Sequence, residues 1–395
     1  MNEKEDELLK QALSGIKILD FGHYIAGPYT AMLLAEQGAE VIKAERPEGD
    51  PFRNQPGFLA WNRSKKGIRL DLKKAEGQRI AHELAKRSDV IIENFHPGVA
   101  DRLGIGYETI GQLNPRIVYC SISGFGPSGP YRNMPGWDPI VASMASVYVS
   151  QAGKDNPPLF LVSPLPSYYA ALIAAFSVTT ALYTREITGI GQKVDVSMFN
   201  SILASASIGI VGFEGIERIS GIRDPQGTSP LYRLYQGSDD KWFFLGIGNL
   251  TFFTKFALAM GHEEWLTDPL FEGAPFLIVP PRSTQLITTF KDIFSAKTRD
   301  EWLEFLRAAD IPCAPAQTTE EFINDPQVLA NDMVVTVKEP HLGEVREMGV
   351  PVKLPLTPGQ VKGPSPALGQ HTEETLTDIG YSTKEIARLK DEGVI

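Results

Sequence analysis

The chain has 395 residues, 43% of them hydrophobic, and a formal net charge of −10 at pH 7. This length allows a large buried core and predicts two domains, or one large domain with a substantial insertion. An acidic surface repels phosphate backbones and anionic lipids, so neither nucleic acid nor a membrane is an expected partner.

The N-terminal residues and the cysteines narrow the class of protein further. Residues 1–13 are charged and lack the apolar core of a secretory signal, and no apolar run reaches the length of a membrane span. The two cysteines, Cys120 and Cys313, form neither a disulfide framework nor a zinc motif. The sequence therefore predicts a cytoplasmic protein that holds no metal.

The first half of the chain alternates between strand patterns and helix patterns. An alternating segment at 15–22 predicts a strand, a helical pattern at 29–40 ends near Gly38, and 39–45 predicts a second strand. Strand, helix and strand in this order form a β-α-β unit, which indicates a parallel sheet. The further predicted elements are a helix at 73–88 and strands at 89–95 and 117–126. These patterns predict a doubly wound α/β fold.

The sequence changes character near residue 204. Residues 204–236 are rich in Gly, Ser and short apolar groups, and the stretch that follows predicts a strand at 241–248 and helices at 251–260 and 288–310. We interpret this region as a second, smaller α+β domain. Residues 366–395 predict two helices, and Ser382 and Glu385 have the spacing of a capping box at the start of the second.

A glycine motif follows the strand at 117–126. Gly124, Gly126 and Gly129 match GxGxxG, but a dinucleotide site needs a helix to open on these glycines. Pro127 and Pro130 favour an extended loop instead, and no ribose-binding acid follows at the right distance. We therefore expect no NAD(P) and interpret the segment as an active-site loop, with an ordinary turn as the alternative.

Basic residues lie at three places in this acidic chain: after the second strand, in the segment 62–72 and after a later strand. Arg46 ends the second strand, at the sheet edge where α/β proteins bind ligands, and Phe95 and Arg102 follow a later strand. Cations beside an aromatic ring could bind a phosphorylated ligand that carries a base, but solvated surface cations are the open alternative. His23 and His96 also follow strands, where structural roles are more common than catalysis. The other basic residues of this set are Arg63, Lys65, Lys66 and Arg69.

Six segments of the chain carry a resemblance to a known family. They read LSGIKILDFGHYIAGPYTAMLLAEQGAEVIKAERPEGD, NRSKKGIRLDL, DVIIENFHPGVADRLGIGYE, LNPRIVYCSISGFGPSGPY, REITGIGQKVDVSMFNS and LGQHTEETLTDIGYSTKEIARL. In this order they resemble the class III coenzyme A transferases, the family of formyl-CoA and carnitine-CoA transferases. The resemblance extends along nearly the whole chain.

This resemblance implies an α/β fold with a Rossmann-like large domain, a smaller α+β domain, and two subunits threaded through each other as interlocked rings. By this resemblance the first part of the large domain lies at 1–203, a linker at 204–236 and the small domain at 237–325. Residues 326–395 would return to complete the large domain.

The resemblance also implies that coenzyme A is the co-substrate. Arg46 and Lys66 match phosphate-binding positions of the family, and Phe95 matches an adenine contact. The full set of positions that match the family's contacts to CoA is Ala26, Arg46, Lys66, Asn94, Phe95 and Arg102.

The family's mechanism depends on an aspartate that opens a helix and attacks the acyl-CoA thioester, giving a mixed anhydride and free CoA thiolate. In this chain the matching position is Ser167, which precedes Arg185 of the segment ALYTREITGIGQ by 18 residues. A serine ester is a lower-energy product than an anhydride, and a carboxylate acceptor could not readily reclaim the acyl group from it. A serine also needs an adjacent base. We therefore expect Ser167 to be a helix cap or spacer, and not a nucleophile.

The racemase branch of the family offers a different chemistry. It uses a histidine in a G-H-D loop and an aspartate near the helix start. Here the loop reads PGWDP, with Trp137 at the histidine position, and the aspartate position is Ser167. Racemisation is therefore not expected.

Some class III transferases divide the work between two homologous chains, of which only one bears the aspartate. The pair that activates benzylsuccinate with succinyl-CoA in anaerobic toluene degradation is such a case. By this resemblance the chain is the aspartate-lacking subunit of a heterodimer or heterotetramer, and otherwise a homodimer. Its substrates would be a dicarboxylyl-CoA and a carboxylic acid such as an aryl-succinate. The residues expected near the substrate are Gly124, Gly126, Trp137 and Tyr168.

Two other functions stay open from the sequence. One is a homodimeric enzyme that acts on CoA thioesters by altered chemistry, such as a lyase or a hydrolase. The other is a non-catalytic CoA-binding or regulatory protein. Assays of the chain alone and with a homologous chain would separate the three.

Overall fold

The computed structural model describes residues 11–153, 156–206, 211–215 and 224–395. These residues form two compact units. The larger unit takes its residues from Met1–Ala145, Val162–Ser207 and Leu329–Ile395, and the smaller unit from Ser146–Leu161 and Ile208–Val328. Two parts of the predicted linker, 207–210 and 216–223, lie outside the described residues.

A six-stranded sheet forms the centre of the larger unit. Its strands are β1 (Lys17–Asp20), β2 (Glu40–Glu45), β3 (Lys66–Arg69), β4 (Val90–Glu93), β5 (Val118–Ser123) and β6 (Lys193–Ser197). They are all parallel and lie in the order β3-β2-β1-β4-β5-β6. In the central strand β4, Val90, Ile91 and Ile92 are fully buried, as expected for a parallel strand that is covered on both faces. The strand order is that of a doubly wound fold, so the predicted α/β class is confirmed.

Helices cover both faces of this sheet. Numbered along the whole chain, those of the larger unit are α1 (Ala26–Glu36), α2 (Pro56–Asn62), α3 (Ala75–Lys86), α4 (Val99–Arg102), α5 (Tyr107–Leu113), α6 (Asp138–Met144), α8 (Leu165–Thr188), α9 (Met198–Ser205), α15 (Thr372–Asp378) and α16 (Thr383–Asp391). One core cluster forms around Ile80 and Leu84 of α3, and the other around Ala31 of α1 and Ala174 of α8. Successive residues of β1 and β4 belong alternately to one cluster and to the other. Successive side chains of a strand point to opposite faces, so the two clusters lie on opposite faces of the sheet.

Helix α8 is the one helix among the described residues that is long and apolar enough to cross a membrane. Its inner face consists of small residues, and Ala170, Ala174 and Val178 are fully buried in the core. A helix with such a buried face is typical of a protein core. On its outer face, Phe176 and Ile187 are 71% and 70% exposed. The outer face of α8 is therefore an exposed apolar surface.

The last part of the chain returns to the larger unit. It contributes the hairpin β11 (Val334–Glu339) and β12 (Gly343–Met348), followed by α15 and α16. This segment lies along the outer edge of β3, where the Gly67 N–H donates to His371 Nδ1 and the His371 N–H donates to the Gly67 carbonyl. An edge strand that is covered in this way cannot pair with a foreign strand.

The smaller unit is built on an antiparallel sheet. Its elements are α7 (Val147–Ala152), β7 (Gly227–Ser229), β8 (Tyr232–Gln236), β9 (Trp242–Gly246), α10 (Leu250–Ala259), α11 (Arg282–Phe294), α12 (Arg299–Ala308), β10 (Cys313–Pro315), α13 (Thr319–Ile323) and, at its boundary, α14 (Pro326–Ala330). The strands lie in the order β10-β9-β8-β7. Aromatic side chains such as Phe243, Phe290 and Phe294 fill its core, all fully buried.

Two helix caps test predictions made from the sequence. The single helix predicted at 288–310 is wrong, because α11 ends at Phe294 and α12 begins at Arg299. Thr298 forms a capping box with Glu301, and a cap residue takes an extended conformation that breaks a continuous helix. The capping box predicted at Ser382 is confirmed at the start of α16.

Candidate active site

The carboxyl ends of the parallel strands open onto a cavity of about 500 Å³. The loops after β1, β2, β3 and β4 form its wall, where a doubly wound sheet is expected to bind ligands. Three exposed cations, Arg46, Lys73 and Arg102, line it together with the ring of Phe95 and the aliphatic side chain of Leu103. Cations beside an aromatic face suit a ligand that carries both phosphates and a base.

A buried lysine holds two loops of this cavity together. Lys43 Nζ donates to the Gly22 carbonyl at 2.7 Å and pairs with Asp50 at 3.2 Å, and both charged side chains are fully buried. Asp50 also accepts the N–H groups of Tyr24 and Phe52. Lys43 thereby joins the loop after β1 to the loop after β2. Tyr24 has a φ of +62°, a strained conformation that these contacts hold in place.

Asn94 joins the loop after β1 to the end of β4. Its side-chain oxygen accepts the His23 N–H, and its side-chain amide donates to the His23 carbonyl, both at 2.8 Å. The His23 ring lies 5.3 Å from the ring of Phe95, and burial lowers the pKa of His23 to about 4. His23 is therefore neutral at pH 7.

The structure does not bring Lys66 to this cavity. Arg46 directly follows β2, whereas Lys66 is the first residue of β3, and the two strands are parallel. The two residues therefore lie near opposite ends of these neighbouring strands, with Lys66 at the amino end of β3 and Arg46 beyond the carboxyl end of β2. Lys66 lines a separate cavity, where its ammonium pairs with Glu374 at 2.5 Å. This cavity therefore lends no support to the prediction that Lys66 contacts a phosphate of CoA.

Two further cations of the segment 62–72 have structural roles. Arg63 and Lys65 are buried in ion pairs inside the larger unit, which corrects the idea that this basic segment forms one ligand site. Lys73 instead lines the first cavity, because it lies just beyond the carboxyl end of β3. Lys73 was not predicted from the sequence, although it lies in the loop that follows β3, four residues beyond Arg69.

A second cavity, of about 310 Å³, adjoins the first. His23, Tyr24 and Phe95 line both cavities, so the two adjoin at these residues. The sequence-predicted residues in the wall of the second cavity are Ala26, Asn94, Phe95, Gly124, Trp137 and Ser167.

The glycines of the loop after β5 have a steric role. A Cβ on Gly124 would lie 2.3 Å from the Cα of Gly136, so only glycine allows these two backbone segments to approach. Residues 124–136 form loops and turns, so the GxGxxG motif opens no helix. Gly126 has a φ of +90° and lies further along this loop, outside the lining of the second cavity.

Aromatic rings lie along the second cavity. The Trp137 ring packs edge-on against Tyr24 at 5.0 Å between centroids, and Tyr24 contacts Phe52 at 4.9 Å. Trp137 is 50% exposed and is therefore not a core residue. Tyr168, next to Ser167, packs against Trp61 at 6.4 Å.

Ser167 lies in the first turn of α8 and is buried against Asp138. Its hydroxyl donates to Asp138 Oδ2 at 2.7 Å, and its backbone N–H donates to Asp138 Oδ1 at 2.9 Å. Asp138 is the half-buried first residue of α6 and lines the second cavity beside Ser167. Burial raises the pKa of the Asp138 carboxyl, and the hydrogen bonds from Ser167 oppose this shift.

The expected capping role of Ser167 falls to Asp138. The N-cap residue of α8, Pro164, makes no side-chain cap bond, and the Ser167 hydroxyl points to Asp138 rather than to a backbone N–H. The carboxylate of Asp138 instead accepts a free N–H at the start of α8. Asp138 precedes Ser167 by 29 residues and was not predicted from the sequence. The available signal was the pattern GWDP, in which an acid followed by proline begins a helix.

Comparison with known protein families agrees with this geometry. The sequence model of CoA-transferase family III matches residues 13–372. This chain belongs to CoA-transferase family III. The match covers most of the chain, including both cavities and the helix that begins beside Ser167.

Individual relatives of this family III chain agree over its full length. It is 33% identical to succinyl-CoA–D-citramalate CoA-transferase of Chloroflexus aurantiacus, over 97% of this chain and 98% of the relative. It is 32% identical to the β subunit of succinyl-CoA–L-malate CoA-transferase of the same organism, over 97% and 98%. Among solved structures, a CAIB/BAIF family protein from Brucella suis matches with a TM-score of 0.81 and 25% identity, over 94% of this chain and 100% of that one. These matches confirm the resemblance and the fold class.

Proposed function

We propose that this chain is a subunit of a CoA-transferase that moves CoA from a dicarboxylyl-CoA, such as succinyl-CoA, to a carboxylic acid. Family III membership supports CoA as the co-substrate. Two relatives carry succinyl-CoA in their names, one with D-citramalate and one with L-malate as the second compound. Their similarity to this chain supports a dicarboxylyl donor.

The observation that carries this proposal is that the two cavities adjoin at His23, Tyr24 and Phe95. CoA has phosphates and an adenine at one end and its thiol at the other. The cations of the first cavity suit the phosphates, and the exposed face of Phe95 suits the adenine. The thioester would then enter the second cavity, beside Ser167 and Asp138.

The acceptor acid is proposed to carry an aromatic ring, as in an aryl-succinate. The rings of Tyr24, Phe52 and Trp137 lie along the second cavity, and the half-exposed Trp137 offers an apolar face. The predicted Tyr168 follows Ser167 but does not line this cavity. Aromatic pairs stabilise contact by about 0.5–1.5 kcal/mol beyond the area that they bury. A role in anaerobic aromatic degradation follows only if the acceptor is such an acid.

We also propose that the chain works with a homologous subunit that bears the family aspartate. Ser167 occupies the aspartate position in this chain and takes up no acyl group itself. The outer face of α8 offers a surface for a subunit, because Leu172, Phe176 and Tyr183 are at least half exposed on it. The similarity to a chain named as a β subunit supports the same arrangement.

The affinity for CoA of an Arg46 variant tests whether the first cavity binds the phosphates of CoA. Replacing Arg46 with alanine is expected to weaken CoA binding by about 1.5–3 kcal/mol, because a charge-assisted contact to phosphate is lost. This corresponds to a Kd that is roughly 10- to 100-fold higher, measured by isothermal titration calorimetry.

The matched control for this experiment is Lys66→Ala. Lys66 is another exposed cation, but it lies in the separate cavity beside Glu374. CoA affinity of the Lys66→Ala protein is expected to be unchanged. If the two variants lost affinity equally, the separation of Lys66 from the CoA site would be wrong.

Co-expression tests the pairing. The chain is produced alone and together with an aspartate-bearing family III homologue from the same organism, and CoA exchange between succinyl-CoA and benzylsuccinate is measured by chromatography. We expect turnover only in the mixture, and loss of co-purification for Phe176→Glu on the outer face of α8. Full turnover by the chain alone would favour a homodimeric enzyme, and CoA binding without turnover in any mixture would favour a regulatory protein.

A further inference from the structure

A carboxylate occupies the place beside residue 167 although the chain has a serine there. Both oxygens of Asp138 are within 2.9 Å of Ser167 donors, at the start of α8. Asp138 lines the second cavity and comes from a different helix, so a search along the sequence near 167 does not find it. The chain therefore has a carboxylate in the wall of the cavity that would receive the thioester.

We propose that Asp138 is the carboxylate that accepts the acyl group in this chain. This inference rests on the proposed CoA transfer, but not on the proposed pairing. In a complex with an aspartate-bearing homologue, the assembly would hold two acyl-accepting carboxylates, one from each kind of chain. Ser167 would then be a positioning residue that fixes the carboxylate of Asp138.

The reaction at Asp138 needs no further reactant. A carboxylate oxygen of Asp138 attacks the thioester carbonyl, the C–S bond breaks, and CoA leaves as a thiolate while a mixed anhydride remains. The thiolate attacks the aspartyl carbonyl, the donor acid leaves as a carboxylate, and Asp138 is now a CoA thioester. The acceptor carboxylate displaces the thiolate to form a second anhydride. Attack of the thiolate on the acceptor carbonyl then gives the new acyl-CoA and restores Asp138.

The contacts of Asp138 suit this sequence of steps. When a thiolate attacks the aspartyl carbonyl, negative charge develops on its oxygen. The Ser167 N–H already donates to Asp138 Oδ1 and belongs to the first turn of α8, a helix of 24 residues. A preorganised N–H at a helix start stabilises such an oxyanion. The Ser167 hydroxyl holds the other oxygen and so orients the carboxylate toward one approach direction.

A purely structural role of Asp138, as a cap of α8, predicts a different result. Asp138→Asn keeps a carbonyl oxygen for the Ser167 N–H and therefore keeps the cap, but it removes the nucleophile. The assay uses whichever assembly is active, the chain alone or its complex with a homologue whose own family aspartate is replaced by asparagine. If Asp138 accepts the acyl group, Asp138→Asn then loses ~1000-fold or more in CoA exchange, the order of loss seen when a nucleophile is removed. Its folding and its affinity for CoA stay close to those of the wild type.

A second pair of variants relocates the carboxylate. In the same assembly, Asp138→Ser alone should be inactive, whereas the exchange Asp138→Ser with Ser167→Asp restores a carboxylate at the same helix start and should recover activity. Ser167→Ala keeps the backbone N–H and loses only one hydrogen bond, so a loss of less than ~10-fold is expected.

Chemical trapping identifies the residue directly. The chain, alone and in its complex, is incubated with succinyl-CoA and hydroxylamine, which converts an aspartyl anhydride or thioester into an aspartyl hydroxamate. Peptide mass spectrometry is expected to find the hydroxamate on Asp138 in the wild type, and no hydroxamate at position 138 in Asp138→Asn.

The outcomes separate the two proposals. Full CoA exchange by Asp138→Asn when the partner's family aspartate is also replaced, or a hydroxamate on this chain only at another residue, overturns the role of Asp138 and leaves CoA transfer in place. Failure of the wild-type chain to bind CoA, alone and in complex, overturns the proposed function and the role of Asp138 with it.

Discussion

Replacing Arg63 with methionine is expected to lower the free energy of unfolding by about 3–5 kcal/mol, the usual cost of removing one partner from a buried ion pair. Arg63 is fully buried. Its Nε donates to Glu36 at 2.6 Å, and its Nη1 donates to Glu347 at 3.0 Å. The substitution leaves two buried carboxylates without their counter-charge. Urea denaturation followed by circular dichroism at pH 7 measures the loss.

Two controls separate this effect from a general sensitivity to arginine loss. Arg79→Met removes a half-exposed partner of Glu76 and should change stability by no more than about 1 kcal/mol. Replacing both Glu36 and Glu347 with leucine in the Arg63→Met protein removes the orphaned charges, and most of the stability should return. Equal losses in the Arg63→Met and Arg79→Met proteins would contradict the interpretation.

Replacing Glu93 with glutamine is expected to change how stability depends on pH. Glu93 ends β4 and is buried, and burial raises its pKa from 4.5 to about 7, against the opposing hydrogen bonds from Ser121 and the Phe95 N–H. At a pH between 4.5 and about 7, the folded state therefore binds more protons than the unfolded state. The stability that the protonated Glu93 provides is therefore complete below pH 4.5 and is lost as pH rises through 7.

The expected size of this effect follows from the shift. One pKa unit corresponds to about 1.4 kcal/mol, so ionisation of Glu93 costs the wild type about 3 kcal/mol above pH 7. Glutamine accepts the Phe95 N–H but does not ionise. The unfolding free energy should therefore fall from pH 5 to pH 8 by about 2.5 kcal/mol more in the wild type than in Glu93→Gln.

Other titrating groups do not disturb this comparison. His23, with its pKa lowered to about 4, is present in both proteins and cancels in the difference between them. Parallel pH profiles of the two proteins would show that Glu93 ionises in the folded state as easily as in the unfolded one.

The alternation of strands and helices along the first half of the chain was predictable because it depends on local pattern. Each predicted strand from 15–22 to 117–126 contains a strand of the parallel sheet, and the predicted order of a β-α-β unit is present in β1, α1 and β2. The absence of an acid at position 167 was also readable directly from the sequence. These features need no knowledge of contacts between distant segments.

The contacts that decide the site depend on tertiary structure. Asp138 and Ser167 come from two helices, and only the folded chain brings the acid to the serine. The basic segment 62–72 illustrates the opposite case, because folding buries Arg63 and Lys65 in ion pairs with distant acids. The buried partners of Arg63 come from 27 and 284 residues away, beyond any local pattern.

The discontinuity of the larger unit has a consequence for biosynthesis. All six strands of its sheet lie before residue 198, but the apolar surface around Ile80 and Leu84 is covered by Leu389 and its neighbours from the end of the chain. While the ribosome makes the intervening residues, this surface on the nascent polypeptide has no cover. The smaller unit, apart from a short segment near residue 150, is contiguous and can fold first, and the larger unit can close only after residues 376–395 have been made. Chaperones that hold exposed apolar surface would therefore act on the N-terminal half of the newly made chain.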